Sequence, residues 1–481
     1  MPSPSSFAML TARSGSSRRS YVVVVGGGNA GICAAISARR AGSDVLVVER
    51  GTEVFRGGNS RHTRDIRYAH DGPDGIAIGA YPREEFLADL AGVSDDRSDR
   101  DLADRLADGA TALPTWMAEQ GIKWQDSLRG ALHLSRTNAF FLGGGRALLN
   151  TYYDTALRLG VRIVYEAQVI APVLDGKRCV GLTVRHDGQD HRLESDAVVL
   201  AAGGIEANLP WLREQWGEGA DNFIIRGTAA NDGTVLLAFL AAGAEAVGNQ
   251  RQFHAVAVDA RSPRFDGGIV TRVDATPFGI VVNRDGHRFY DEGQTFWPKR
   301  YAIWGGLIAE QPGQSAYVIF DAKVRHLFIP PLFPPVRAPT LEAIGKELDL
   351  PLGSFMETIG EFNRSLAGDR AFDPAVLDGV ATVGIDPPKS NWAQAIDTPP
   401  FYAYPLRPGI TFSYRGLKVD GTTRVVGRDG TPFENVFAAG ELMTGNILTV
   451  GYLAGIGLTI GTVFGRIAGE EATTVAARST H

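Results

Sequence analysis

Cysteine is scarce: Cys33 and Cys179 are the only two in 481 residues. They lie far apart, with neither a CxxC nor a Cys/His spacing. That argues against a disulfide framework, a structural zinc site or an iron-sulfur cluster carried by this chain, and it fits a reducing compartment. Positive charge is short as well. With 48 basic and 54 acidic residues the formal net charge is -6, so no overall field draws nucleic acid, and any basic patch must be local. Long uninterrupted apolar runs are also missing. The most apolar late stretch, YLAGIGLTIGTVFGRIAG at 452–469, is broken by glycines and an arginine, and reads as a buried helix of a globular domain. The first twenty residues hold seven serines and three arginines without an acid. A disordered tail over 1–20 is expected there, with a transit peptide as the alternative.

What is present is more specific. A length of 481 residues points to two or three domains. YVVVVGGGNAGICAAISARRAGSDVLVVER, 21–50, reads as a strand, a glycine turn, a small-residue helix and a second strand, with both strands buried on two faces as a parallel sheet requires. In its turn Gly26, Gly28 and Gly31 fall on the G-x-G-x-x-G spacing. The first permits the tight turn, the second lets a pyrophosphate approach the backbone, and the third lets helix and strand pack closely. Glu49, at the end of the second strand, is placed for ribose hydroxyls. DG at 175–176 marks a hairpin. DAVVLAAGG at 196–204 and ENVFAAGELMTG at 434–445 both repeat the pattern of a strand ending in glycine. Between them, from about Arg251 to Pro405, aromatics, prolines and arginines become dense. The expected fold is therefore α/β: a discontinuous Rossmann-like domain over 21–250 and 406–481, with an inserted α+β capping domain over 251–405.

YVVVVGGGNAG, ERG, RGGNS, LAAGG, NDG, VVNRDGHRF, AAGE and FGRIAG occur in this order. Through them the chain resembles the fumarate reductase and succinate dehydrogenase flavoprotein superfamily, from Tyr21 to about Gly469. Within that superfamily RGGNSRHTRDIR, GITFSYRGLKVD and the 452–469 stretch look most like the FAD-dependent tricarballylate dehydrogenases. The resemblance implies noncovalent FAD beneath a mobile cap. It also implies hydride transfer between flavin N5 and a carbon next to a carboxylate or carbonyl, and a proton moved by a side chain. For FAD it implies contacts from Asn29, Ala30, Arg50, Gly57, Gly58, Asn59, Ser60, Val169, Ala202, Gly203, Asp232, Gly440, Glu441, Ala454 and Ile456, beside the fingerprint residues.

For the substrate, the resemblance points to His254 and Thr271, with Arg272 beside them to hold a carboxylate. Arg300 lies near the family's proton-transfer arginine. The chain also departs from the fumarate reductase pattern. Where those enzymes have a histidine pair it has Thr411, Phe412 and Ser413, and their late substrate arginine falls on Tyr452, which speaks against fumarate or succinate. Arg407, Tyr414 and Arg415 flank the lost histidines, and Arg64 faces phosphate or substrate. Each has a bland alternative: a core histidine for His254, a surface cation for Arg300 or Arg415, a core ring for Tyr452. The catalytic candidates are Arg300, Tyr452 and His254. The resulting expectation is oxidation of a small tricarboxylate, tricarballylate to aconitate. The rivals are a ketone-adjacent dehydrogenase of ketosteroid type, an enoate reductase acting on another acid, and a flavin-bearing scaffold. A cytoplasmic protein at the membrane surface is expected, with a membrane-associated iron-sulfur or haem protein as electron acceptor, no nucleic acid and no metal.

Overall fold

The computed structural model describes Phe7 and residues 20–127, 134–327, 329, 331–368 and 370–478. Apart from Phe7 and Ser20, the expected N-terminal tail lies outside the described residues. Phe7 is buried and stacks on His191, with ring centroids 4.6 Å apart.

The first unit folds as its pattern dictates. Strand β1, Tyr21–Val25, is buried at every position; helix α1 spans Asn29–Arg40, and β2 spans Asp44–Val48. The chain returns through helix α2, Gly144–Arg158, to β3, Arg162–Val164. An antiparallel meander of β4 (Gln168–Asp175), β5 (Arg178–His186) and β6 (Gln189–Glu194) follows, turning at Asp175-Gly176, and leads into β7, Ala197–Leu200.

A second six-stranded sheet holds β8 (Phe253–Asp259), β9 (Ile280–Asn283), β10 (Ala316–Phe320) and the long β11 (Phe401–Ser413). β11 is its spine: it pairs antiparallel with β8 and β10, and parallel with Ile224–Ile225. The chain then re-enters the first sheet through β12, Arg424–Val426, and β13, Pro432–Ala438, and ends in helix α3, Ile456–Arg478. The first sheet runs β12-β13-β7-β1-β2-β3, parallel except for the β12 edge. This is the α/β Rossmann-like arrangement that the glycine turn implies.

The glycines of α3 have a packing job. A Cβ on Gly465 would lie 2.4 Å from the Ala30 carbonyl oxygen, and one on Gly469 would lie 2.2 Å from that of Ala34. Bare backbone at these positions lets α3 lie directly on α1, and Asn29 Nδ2 donates to the Leu458 carbonyl and Thr462 Oγ1 across the contact. The C-terminus is thereby locked against the start of the nucleotide-binding unit. Among the described residues no helix is long and apolar enough to cross a membrane.

Candidate active site: a glycine-walled cleft ending in an aromatic, cationic pocket

The C-terminal ends of β1, β2, β7 and β13 open into one cleft holding about 1670 Å³ of empty space, part of it open to solvent. One wall is the fingerprint turn. Gly26 has φ +100°, and a Cβ on it would lie 2.3 Å from the Ala201 carbonyl oxygen. Glu49 takes the Gly27 N–H at 2.8 Å and the Gly51 N–H at 2.6 Å. Burial raises its pKa, while these backbone donors pull it back. Tyr153 donates to the Gly27 carbonyl at 2.9 Å, closing the turn from behind. Gly28, Asn29 and Ala30 line the cleft at the N-terminus of α1, where helical N–H groups favour an anion. Arg50 pairs with Asp232 at 2.8 Å, and Val169 adds apolar wall. Gly31 stands outside the lining, packed on Gly26.

The second wall is the loop 57–60. Asn59 is committed to protein: Nδ2 donates to Glu206 Oε1 and to the Thr411 carbonyl, each at 2.8 Å, and Oδ1 accepts the Thr228 N–H. Ser60 Oγ accepts the Asn29 N–H at 3.0 Å, joining this loop to α1. Gly57, Gly58, Ala202, Gly203 and Gly440 complete the lining with exposed backbone. Beneath Gly204, Glu441 Oε1 takes the N–H and hydroxyl of Ser413, while Asn231 donates to Glu206 Oε1 at 2.8 Å. Glu206 and Glu441 are both buried, and burial raises both their pKa values, most strongly that of Glu441, which also sits against a second carboxyl.

Contacts along the wall lead from Asn29 to Leu458 and then to Tyr452, whose hydroxyl accepts the Gly457 N–H at 2.9 Å. Here the cleft ends in aromatic rings. His254 lies flat on Tyr452, with centroids 3.8 Å apart and planes 2° from parallel, and edge-on to Tyr301 at 5.4 Å. Burial, then Arg226 and Arg272, hold the His254 pKa well below the usual imidazole value, so the ring is neutral; among the described residues neither of its nitrogens has a hydrogen-bond partner. Tyr452, Tyr301 and Ala454 also line this end. Burial keeps both phenols protonated. The Ala454 carbonyl accepts from Arg67 Nε and Asn138 Nδ2, which pins the loop that carries Tyr452.

Three arginines reach this pocket: Arg64, Arg226 and Arg272. Arg64 contacts Asp65 at 3.3 Å, and Arg272 grips Asp274 with bonds of 2.5 and 2.9 Å. Burial opposes the Arg272 charge, but Asp274 more than restores it. Arg226 has no carboxylate in ion-pair reach among the described residues, and its Nη1 is buried without an acceptor. Other expected substrate or catalytic residues stand elsewhere. Thr271 donates to the Gly268 carbonyl and Tyr414 to the Gly451 carbonyl. Arg407 is bound to the Gly313 and Gln314 carbonyls, Arg415 to that of Gly248, and Arg300 to the Tyr290 hydroxyl. None of these five, nor Ile456 at the start of α3, is in the cleft lining.

Sequence reasoning did not find Gly27, Tyr153, Glu206, Asn231, Arg226 or Tyr301. Two had a local signal: Gly27, as the unassigned glycine inside the fingerprint, and Asn231, as the first residue of the NDG stretch. Arg226 is a lone arginine after the short apolar run FII, indistinguishable in sequence from a surface cation at a strand end.

The cleft fits FAD on its own terms. A bare turn and helix N-terminus suit a pyrophosphate, Glu49 is fixed at the β2 end as a ribose acceptor, and the far wall is polar backbone ending in aromatics. A family model described as an FAD binding domain matches residues 21–458. The chain is 27% identical over 480 residues to the probable fumarate reductase Ifc3 of Shewanella frigidimarina (strain NCIMB 400), covering 95% of this chain and 75% of that protein. It is 26% identical to the NADH:acrylate oxidoreductase of Vibrio harveyi over 94% of its own length, but spans only 50% of that longer protein. Among solved structures, 3-ketosteroid-delta4-(5alpha)-dehydrogenase from Rhodococcus jostii RHA1 has the same fold, with a TM-score of 0.71 at 23% identity over 96% of this chain and 99% of that one. By fold, cleft and family match together, the chain belongs to the FAD-binding-domain family, within the fumarate reductase/succinate dehydrogenase flavoprotein superfamily, and is an FAD-dependent oxidoreductase.

Proposed function

We propose that the protein dehydrogenates a small polycarboxylate of the tricarballylate type across a carbon-carbon bond next to a carboxylate, giving the aconitate-type alkene. The observation that carries this reading is the charge of the distal pocket. Arg272 is balanced by Asp274 and Arg64 by Asp65, while Arg226 stays uncompensated among aromatic rings. A low-dielectric pocket with one surplus positive charge favours an anion over a neutral ketone. FAD, when bound, supplies the hydride acceptor. Neutral His254 offers a hydrogen-bonding nitrogen and protonated Tyr452 a donor hydroxyl, and the stacked rings exclude water from the reacting carbon. His62, whose Nε2 is engaged by Asp266 at 2.9 Å, supports noncovalent cofactor binding. A fluorescent protein band after denaturation in acid would overturn that part. In this reading the reduced cofactor is reoxidised by a separate iron-sulfur or haem protein at the membrane, because this chain has only two widely spaced cysteines, and the protein works in the cytoplasm.

Anaerobic stopped-flow mixing tests the substrate. Tricarballylate should bleach the oxidised flavin band, and succinate should bleach it at least about 100-fold more slowly, since a two-carboxylate substrate lacks one charge-assisted contact. Bleaching by a cyclic ketone and not by any acid would replace this reading with the ketone-adjacent dehydrogenase.

A further inference from the structure

Arg226 is held with unusual firmness for a residue in a connecting segment. It follows the short strand Ile224–Ile225; its N–H donates to the Ile410 carbonyl at 2.8 Å, and its carbonyl accepts the Gly268 N–H at 2.9 Å. The guanidinium therefore has a fixed origin between β11 and the 266–268 turn. Its side chain is just as constrained: the residue is 4% exposed, and Nε donates to the Gly268 carbonyl at 3.3 Å. Beyond that one long bond the head group has no acceptor at Nη1 among the described residues.

Every other charged or titratable group near it is already engaged or neutral. Arg272 and Asp274 satisfy each other, Arg64 rests on Asp65, and His62 and Arg61 share Asp266. His254 is neutral, and Tyr301 and Tyr452 are protonated phenols. Burial and the neighbouring Arg272 push the Arg226 pKa down to about 10, which leaves it cationic at neutral pH. Buried charges in folded proteins are paired or give up their charge. This one does neither, and it lines the same cleft end as His254 and Tyr452.

We propose that Arg226 is the residue that seats a carboxylate of the substrate, presenting its unsatisfied guanidinium edge at the end of the cleft lined by His254 and Tyr452. This rests on the reading of the protein as an oxidoreductase of small acids. A planar carboxylate can accept two parallel N–H bonds from such an edge, which sets the substrate's orientation as well as its affinity. The arginines named from sequence cannot serve equally: Arg272 has spent its fork on Asp274, and Arg407 and Arg300 stand outside the wall. The expected ligand thus places one carboxylate on Arg226, with its reacting carbons beyond it along the cleft.

The experiment uses the full FAD-loaded chain and citrate as a tricarboxylate probe that cannot be dehydrogenated, because its central carbon carries a hydroxyl and no hydrogen and so leaves no adjacent C–H pair. Citrate binding is followed as a perturbation of the flavin absorbance. In R226M its Kd should rise roughly 100-fold, and in R226K, which keeps the charge but not the fork, roughly 10-fold. R226M without citrate should melt no lower than wild type, because an unpaired buried charge has been removed. A merely structural arginine gives the opposite pattern, with a lower melting temperature and unchanged citrate affinity, and that result overturns the proposal. If wild type is bleached by tricarballylate while R226M and R226K bind citrate as wild type does, the Arg226 assignment falls and the functional reading stands. If no acid perturbs or bleaches wild type, both fall.

Discussion

A Gly28→Ala variant should fold as wild type does yet bind FAD at least about 100-fold more weakly, whereas Gly31→Ala should lose both folded stability and FAD. The two glycines belong to one fingerprint, and the structure separates their roles. Gly28 has φ -71° and ψ -177°, extended backbone that any residue adopts. A Cβ placed on it would have nothing closer than Ser60 Oγ at 3.5 Å and the Gly57 carbonyl oxygen at 3.6 Å. The new methyl meets only ordinary contacts in the protein and projects where the cofactor's phosphates must approach. On Gly31 the same methyl would lie 1.9 Å from the Gly26 carbonyl oxygen and 3.4 Å from Val24 Cγ1. Helix α1 would have to lift off β1, an overpacking cost of about 1–3 kcal/mol that outweighs the ~1 kcal/mol gained when alanine replaces a helical glycine. Thermal melts of the cofactor-free proteins, with FAD titrated against intrinsic fluorescence, check both outcomes. Equal melting temperatures for Gly31→Ala and wild type would refute the packing account.

That contrast shows what the sequence could and could not carry. The parallel strands were legible because burial on both faces writes an unbroken β-branched run, as in YVVVV and DAVVL. The turn was legible because glycine spacing there is dictated by backbone geometry. β11 was much harder to read. Pro405 and Pro408 sit inside it, and proline ordinarily argues against a central strand. The neighbouring strands pair across both prolines all the same, Ala257 opposite Pro408 and Tyr317 opposite Pro405, and the other residues of β11 supply the donors that the prolines lack. The distal pocket was legible only in part, for a different reason. His254 and Tyr452 meet as stacked rings although almost two hundred positions separate them, and no local pattern encodes such a meeting. Arg226 looks in sequence like any cation after a strand, and its significance comes from what it lacks in space. Arg407 and Arg415 drew attention through sequence proximity to TFSY, but Arg407 lies in the middle of β11, well before Thr411, and Arg415 lies beyond the strand's end at Ser413. Their guanidiniums end on the carbonyls of Gly313, Gln314 and Gly248 instead of in the cleft.

The buried acid pair leads to a second large effect: Glu441→Gln should stabilise the FAD-saturated protein increasingly as pH rises above about 5. A Cβ on Gly204 would lie 2.0 Å from Glu441 Oε1 and 2.4 Å from Glu206 Oε2, so the two carboxyls converge on this backbone position. Their donors divide unequally. Glu206 Oε1 receives Asn59 and Asn231, the pattern of an ionised carboxylate, and Glu441 Oε1 receives both groups of Ser413. Glu206 Oε2 is buried with no other donor, so a proton on Glu441 is what satisfies it. The folded-state pKa of Glu441 is therefore raised, by burial first and by the adjacent carboxylate second. A raised carboxyl contributes its full stability below the unfolded value, near 4.3, and loses it as pH climbs through the folded value, at about 1.4 kcal/mol per pH unit for one proton. Glutamine copies the protonated form: its oxygen can accept from Ser413 and its amide can donate to Glu206 Oε2, with no proton to lose. The melting-temperature advantage of Glu441→Gln over wild type should thus grow as pH rises above about 5 and level off once pH has passed the raised folded-state pKa of Glu441. Glu441→Ala, which leaves Glu206 Oε2 without a donor, should be destabilised across the whole range. A constant difference between the glutamine variant and wild type at every pH would mean that the pair does not hold a proton between its carboxyls.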